Sequence, residues 1–586
     1  MRLLSSIFLL LLTQSAWAAS TADARFQALY EREWQWRTAQ FPLLATYAGV
    51  HDFDDRLGHV DEATQRMRLR YWQSVQVELG RIPSTELSSS QRVNHAIYEE
   101  QINNLIGGIQ TRAYLLPLNS DSSFYGDLAQ LPSAHPFEDE RDYRNYLARL
   151  NAIPGYFDEH IALLSAGLKL GISVPRVVLL GRDGTLVAHS ATVRVEDSTF
   201  YKPFEKLPAS ISPQRQSELR VQAVDAIEKR VRPAYAKVLR FMRERYVPGA
   251  RRSLSAEKMP GGKAFYAQQI QEYVTLPLDP NVIHARGLSE VLRIRAEMQE
   301  VIAASGFKGS FAEFLVFLRK DPQFYARTPE ELLMRAADVA KRVDAKLPTF
   351  FNQLPRLPFG IVPVPEAIAP YYTGGRYSPP AFGSRDPGYY WVNTYKLESR
   401  PLYTLPALTL HEAVPGHHLQ GALASEQGVQ PDFRRFAYIS AFGEGWALYA
   451  EHLGVEMGIY RTPYENFGRL SYEMWRACRL VIDTGVHHLN WTREQAIAYL
   501  RDHTALSEHE VETEIDRYIS WPAQALSYKW GELAIRDLRK RAETELGSDF
   551  DLRAFHDAVL ALGSVPLPVL EEQVQAFIES RKASAH

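Results

Sequence analysis

Residues 411–420 read His411-Glu-Ala-Val-Pro-Gly-His-His-Leu-Gln420, and Gly443-Glu-Gly-Trp-Ala-Leu-Tyr-Ala-Glu451 follows downstream. The first stretch gathers three imidazoles and a carboxylate within eight residues. The second adds a carboxylate at the start of what reads as another helix. Two His ligands, a Glu beside the first and a third ligand Glu from a later helix are the parts of a hydrolytic zinc centre. In the common H-E-x-x-H arrangement the two His stand four residues apart on one helical face. Here that position is Pro415, which cannot bind a metal, and the next His, His417, lies six residues on. On a regular helix six residues turn roughly 240° and climb about 9 Å. Two nitrogens on one zinc each sit about 2.0–2.1 Å from it, so an unbroken helix cannot supply both. Pro415 provides the break, because it has no N–H and its ring clashes with the carbonyl of His411. Gly416 lets the backbone absorb the extra residues as a bulge or kink. His418, seven residues on, regains the face within about 20° but lies farther along the axis. His417 is the preferred second ligand, and His418 stays open as its rival.

The pattern H-E-x-x-P-G-H-x-x-Q resembles the signature of the bacterial family called domain of unknown function 885. That family looks like a distant relative of gluzincin peptidases such as thimet oligopeptidase, angiotensin-converting enzyme and the Taq-type carboxypeptidases. Their shorter H-E-x-G-H is similar to this motif without two residues ahead of Gly416-His417. The resemblance continues through Tyr389-Tyr-Trp-Val-Asn393, Glu444-Gly-Trp-Ala-Leu-Tyr-Ala-Glu451, Arg479-Leu-Val-Ile-Asp-Thr-Gly-Val-His487 and Trp521-Pro-Ala-Gln-Ala-Leu-Ser-Tyr-Lys529. It is close over most of residues 370–535 and general in the N-terminal half. The family pattern fixes the histidine at 417 and not the next position.

The remaining candidates follow from spacing and from that resemblance. Eight of the 17 His fall between residues 411 and 509, which concentrates metal or proton-transfer chemistry there. Glu444, flanked by Gly443 and Gly445, is the expected third ligand; a helix N-terminal carboxylate stabilised by the dipole is the plainer alternative. Glu451, two turns later on the same face, is expected to orient a His ligand from behind. Arg476, Arg479, Asp483 and His487 recur at three- and four-residue steps on one helical face. The resemblance places that face in a cleft, where an Arg receives a peptide carboxylate and Asp483 supports the site. Gln524, Tyr528 and Lys529 form the last cluster, and Asn393 ends the extended segment before the motif. As in the resembling peptidases, Tyr528 or His487 is expected to stabilise an oxyanion. Asn393, Arg476, Arg479, Gln524 and Lys529 are expected to bind substrate.

The elements that must position these residues are mostly helices. Phe26, Leu29, Tyr30 and Trp34 open a helical pattern, continued over 68–80 and 91–105. Residues 142–168 read as helices broken at Pro154, 174–189 as holding a short strand, and 214–247 as one long amphipathic helix. Between about 354 and 406 Pro, Gly and Tyr become frequent, and 388–395 looks extended. It suits a cleft-bordering strand that binds substrate backbone, or an ordinary strand of a small sheet. Helices resume over 410–426, 441–457, 465–487, 493–503, 508–521 and 524–546.

The whole chain bounds the answer further. Its 586 residues, 46% hydrophobic and 23% charged, are those of a globular protein, and a net charge of −3 gives no support for nucleic-acid binding. One cysteine, Cys478, excludes an intramolecular disulfide and a Cys-based zinc site. Met1-Arg2, the apolar run Leu3–Leu12 and Ala16-Trp-Ala18 read as a secretory signal peptide cleaved near residue 19, too short to stay as an anchor. No Cys follows it, so export to the periplasm without lipid attachment is expected.

The expected fold is mainly α: a two-lobed helical, zincin-like body with a deep cleft and a small β-sheet beside the motif helix. After the signal peptide, residues 20–586 are read as one domain, with an N-terminal helical part to about 350 and a catalytic part beyond. The expected activity is hydrolysis of short peptides with one Zn2+ per chain and Glu412 as base, in carboxypeptidase or dipeptidyl carboxypeptidase mode by resemblance alone. A metal-dependent amidase on cell-wall peptides and a non-catalytic peptide binder are the alternatives.

Overall fold

Amphipathic helices each bury one apolar stripe, and in this chain the stripes converge on two large cores. The computed structural model describes residues 21–584 apart from 192, 193, 367 and 381–385 and the side chain of 371. The signal-peptide reading of residues 1–19 lies outside these described residues. The chain is 70% helical with a small three-stranded sheet. One core holds Tyr146, Phe157, Tyr235, Phe314, Met474 and Ile515. The other holds Phe26, Trp72, Leu410, Trp446, Ile535 and Phe555. Each therefore mixes residues from before and after position 350. No helix among the described residues is long and apolar enough to cross a membrane.

Three local expectations change. The helix Glu140–Leu170 runs unbroken through Pro154. The proline forfeits one backbone bond, while buried Leu150, Ile153 and Phe157 hold the helix against the core. Residues 174–189 form no strand but a short 3-10 turn, Arg176–Leu179, and a helix, Gly184–Ser190. The long helix expected from 214 exists over 213–249, yet it is interrupted by π turns at Ile227–Val231 and Met242–Tyr246. Each π turn ends two residues before a proline, Pro233 or Pro248, whose missing N–H leaves the regular ladder incomplete.

The sheet comprises β1 (Phe359–Pro363), β2 (Gly375–Ser378) and β3 (Gly388–Val392) in the order β1-β3-β2. β3 pairs parallel with β1 and antiparallel with β2. Of the two readings of 388–395, the structure shows the ordinary one: β3 is the central strand of a small sheet, and both its edges are taken. The strand that meets the motif is β2, where the Tyr377 N–H donates to Glu412 Oε2 at 2.8 Å.

Five helices carry the candidate site: α1 (Leu405–Glu412), α2 (His417–Glu426), α3 (Ser440–Glu456), α4 (Pro463–His487) and α5 (Leu526–Leu546). α3 and α5 approach so closely that a Cβ on Gly445 would lie 2.6 Å from the Gly531 Cα. The glycine after Glu444 is therefore a packing requirement, and it fixes where α3 presents that carboxylate.

Candidate metal centre

Pro415 does more than bend a helix. α1 ends at Glu412, residues 413–416 cross over with a cis Val414–Pro415 peptide, and α2 starts at His417. The crossing is pinned by the Trp446 indole N–H, which donates to the Pro415 carbonyl at 2.8 Å, and by the His418 N–H on the Ala413 carbonyl at 3.1 Å. Gly416 is required here, because an added Cβ would fall 1.9 Å from the His411 carbonyl oxygen. That neighbour is backbone and cannot swing away. Gly416→Ala is expected to destabilise the fold by about 3 kcal/mol, at the upper end of overpacking costs. Denaturant unfolding beside wild type measures it, and an unchanged midpoint would refute the clash.

The crossover turns two helix ends toward one point. His411, His417 and Glu444 each offer a ligand atom, all within 4.8 Å of one another. Glu444 Oε2 lies 3.6 Å from His411 Nε2 and 3.4 Å from His417 Nε2. Tetrahedral donors about 2.0–2.2 Å from one zinc stand roughly 3.3–3.6 Å apart, so both Glu444 spacings fit that ion. His418 does not join it. Its ring pairs through Nδ1 with the Tyr377 hydroxyl and through Nε2 with the Leu357 carbonyl, both at 3.1 Å.

The electrostatics match a cation's place. Burial lowers the His411 imidazolium pKa, but Glu444, Glu451 and Glu412 outweigh it and raise the pKa to about 10. Burial pushes the Glu444 carboxyl up, yet the two imidazoles hold it well below the usual range. Three close donors that stabilise positive charge at their centre suit a divalent ion. A second group, His59, Asp61 and Glu159, offers less: Asp61 caps a helix, and Glu159 accepts from the Val60 N–H and pairs with His59.

Glu451 lies behind His411, with Oε1 at 2.8 Å from His411 Nδ1. Nδ1–H donates to that carboxylate, which leaves the Nε2 lone pair facing Glu444 and His417. Glu451→Ala is expected to weaken metal affinity about 10–100-fold, the usual effect of removing such a partner. Competition with a chromogenic chelator reads it, and wild-type affinity would show that the bond does not orient the ring.

Four expected site residues are spent elsewhere. His487 is fully buried, its Nδ1 accepting from the Ala256 N–H and its Nε2 paired with the Tyr518 carbonyl, so it is no oxyanion donor. Asn393 donates to the carbonyls of Ala369, Tyr372 and Thr373 and accepts from the Tyr395 N–H, which makes it a loop clamp. Lys529 is buried among Glu290, Glu473 and Glu532 in an ion network tying α4 to α5. Asp483 accepts from the Tyr266 hydroxyl and the Ala523 N–H rather than supporting a His of the motif. These four side chains share a helical register or a motif with the site but point into the packing behind it.

The other members build a wall. Arg476 packs over Trp475 and Tyr472 and comes within 3.7 Å of Glu451. Arg479 stacks on Tyr528 at 4.1 Å and pairs with Glu514 at 2.9 Å. Arg517, which the sequence reading passed over, donates to the Tyr528 hydroxyl and to Gln524. Tyr528 lies near Tyr438, whose phenol feels the charges of Glu444 and Glu412. Tyr438 is 60% exposed, and its hydroxyl would lie 2.5 Å from a Cβ added at Gly443. Arg376 of β2 interacts with both Glu412 and Glu444. Neither residue belongs to a motif, and nothing in spacing singled them out; only the fold brings them in.

One sequence-family model spans most of the chain. The family described as bacterial protein of unknown function (DUF885) matches residues 42–574. The chain belongs to this family. Among solved structures, "the putative lipoprotein from Colwellia psychrerythraea" is similar at TM-score 0.88 and 29% identity, covering 96% of this chain and 100% of that one. A "putative lipoprotein of unknown function from Shewanella oneidensis" aligns at TM-score 0.73 and 21% identity, over 94% and 99%. An M32 carboxypeptidase from Deinococcus radiodurans R1 aligns at TM-score 0.33 and 13% identity over 87% and 95%, a likeness too remote to inform function. No curated protein matches the sequence.

Proposed function

We propose that this DUF885 protein is a zinc-dependent hydrolase of peptide bonds that acts on short, extended peptides. The observation that carries the reading is the donor spacing of 3.4 and 3.6 Å at Glu444 with Glu412 immediately beside His411. When bound, zinc supplies Lewis acidity that activates water near neutral pH and polarises a carbonyl. The protein's own groups do the rest. The Tyr377 N–H holds one oxygen of Glu412, and the other is left to take a proton from water and pass it to the leaving amine. Tyr438 offers an O–H beside Glu444 for developing negative charge. His417 and Glu444 side chains expose only 16% and 14%, which favours an extended peptide over a folded protein.

Export to the periplasm is part of the same proposal. It rests on the N-terminal sequence pattern and is consistent with the lipoprotein descriptions of the two relatives. Cys478, however, is buried inside α4 and unsuited to lipid attachment.

Metal content by elemental mass spectrometry tests the centre directly. Wild type is expected to hold about one zinc per chain, His417→Ala to lose it and His418→Ala to keep it. Loss only in His418→Ala would move the ligand set. A wild type that holds no metal after zinc is supplied would refute the hydrolase reading in favour of a peptide-binding one.

A further inference from the structure

A separate cavity of about 220 Å³ lies between α1, the sheet and the start of the helix Glu508–Ser520. It shares none of the donor triad, nor Glu412, so binding in this cavity is independent of the hydrolytic reading. Leu405 and Leu408 of α1, with Val392 and Leu506, form an apolar side. Tyr325, Tyr403 and Tyr472 add aromatic walls.

Arg319 and Arg400 both line this cavity. Arg400 is 13% exposed at its side chain, and its sole ion pair among the described residues is with Glu510 at 3.8 Å. Arg319 donates from Nη2 to the Thr504 carbonyl at 2.8 Å. Glu510 is already engaged, accepting from the Ser507 N–H and hydroxyl as a helix cap. A partly desolvated cation with so distant a partner favours an anionic group from a ligand.

The rest of the lining narrows the ligand. Glu398 and Glu508 are exposed, so carboxylates mark the mouth while the arginines sit deeper. Three carboxylates against two guanidiniums repel a phosphate or a dicarboxylate. A zwitterion satisfies both ends, its carboxylate toward Arg319 and Arg400 and its ammonium toward Glu398 and Glu508. The volume falls below the about 300–1,000 Å³ of drug-sized sites and suits a single amino acid. We propose that this cavity binds a free apolar α-amino acid, with its side chain against Leu405, Leu408 and Tyr472.

Isothermal titration of the full mature chain with L-leucine and L-phenylalanine tests this. At least one should bind saturably, and L-leucinamide, which lacks the carboxylate, at least about tenfold more weakly. Arg400→Met should weaken binding at least about tenfold. If that variant fails to fold, Arg319→Met decides the same point. Binding should survive removal of metal by chelation. No saturation below about 10 mM, equal binding of leucinamide, or loss of binding on chelation would each overturn the proposal.

Discussion

Replacing Glu412 by Gln is expected to lower the turnover of short peptides by about 10²–10⁴-fold, the range that positioned acid–base groups contribute. That corresponds to about 3–5 kcal/mol in the barrier. The amide keeps the size of the side chain and can still accept from the Tyr377 N–H. It cannot take a proton from water at neutral pH. Glu412 is not among the three donors that converge, so zinc content is expected to stay at the wild-type level. Activity and metal together make the result decisive. Turnover near wild type would remove Glu412 from the mechanism. Loss of zinc along with activity would instead make the residue a ligand and require a different base.

The second large effect is acid lability. Burial lowers the pKa of His160, His418, His452 and His556 to about 4 and of His487 to about 3. In the unfolded chain each titrates near 6.5. Between those values the unfolded state binds more protons than the folded one, so stability is present above about pH 6.5 and is lost as pH falls. By pH 5 each histidine has given up about 2 kcal/mol, and the five together about 10. Asp483 opposes them, as does His411, whose raised pKa adds stability as pH falls toward the unfolded value. Burial raises the Asp483 pKa to about 7, so the folded state holds its proton where the unfolded carboxylate has lost it. Acidification to pH 5 therefore returns about 2 kcal/mol through that group. A net loss of several kcal/mol is a large share of a protein's stability. Circular dichroism with urea between pH 7.5 and 5 should show the midpoint fall steadily as pH drops. A midpoint that holds constant over that range would mean the buried rings accept protons without penalty.

The helical class was readable because apolar periodicity is local: Phe26, Leu29, Tyr30 and Trp34 line one face whatever they pack against. The chemistry of the motif was also local. His411, Glu412 and Glu444 are of the right types, and Pro415 with Gly416 announces that the helix cannot continue. Glu451 was within reach too, because two helical turns separate it from Glu444 on one face.

Other features depend on what lies across the fold. Pro154 marks a helix break in sequence, yet packing of Leu150 and Phe157 overrides it. His487 and Arg476 lie on one helix with similar promise. Ala256 and Tyr518 claim both nitrogens of the first, whereas the second reaches Glu451. The sequence favours His417 with His418 as its rival, and Leu357 and Tyr377, about 60 and 40 residues upstream, occupy the His418 ring. Tyr438 and Arg376 reach the centre from segments that carry no motif at all. Residue types and short-range spacing are set by the chain itself, so the sequence determined the candidate donor types, the break and the helical class. Which side chains face the centre depends on contacts between distant segments, and those the tertiary structure alone decided.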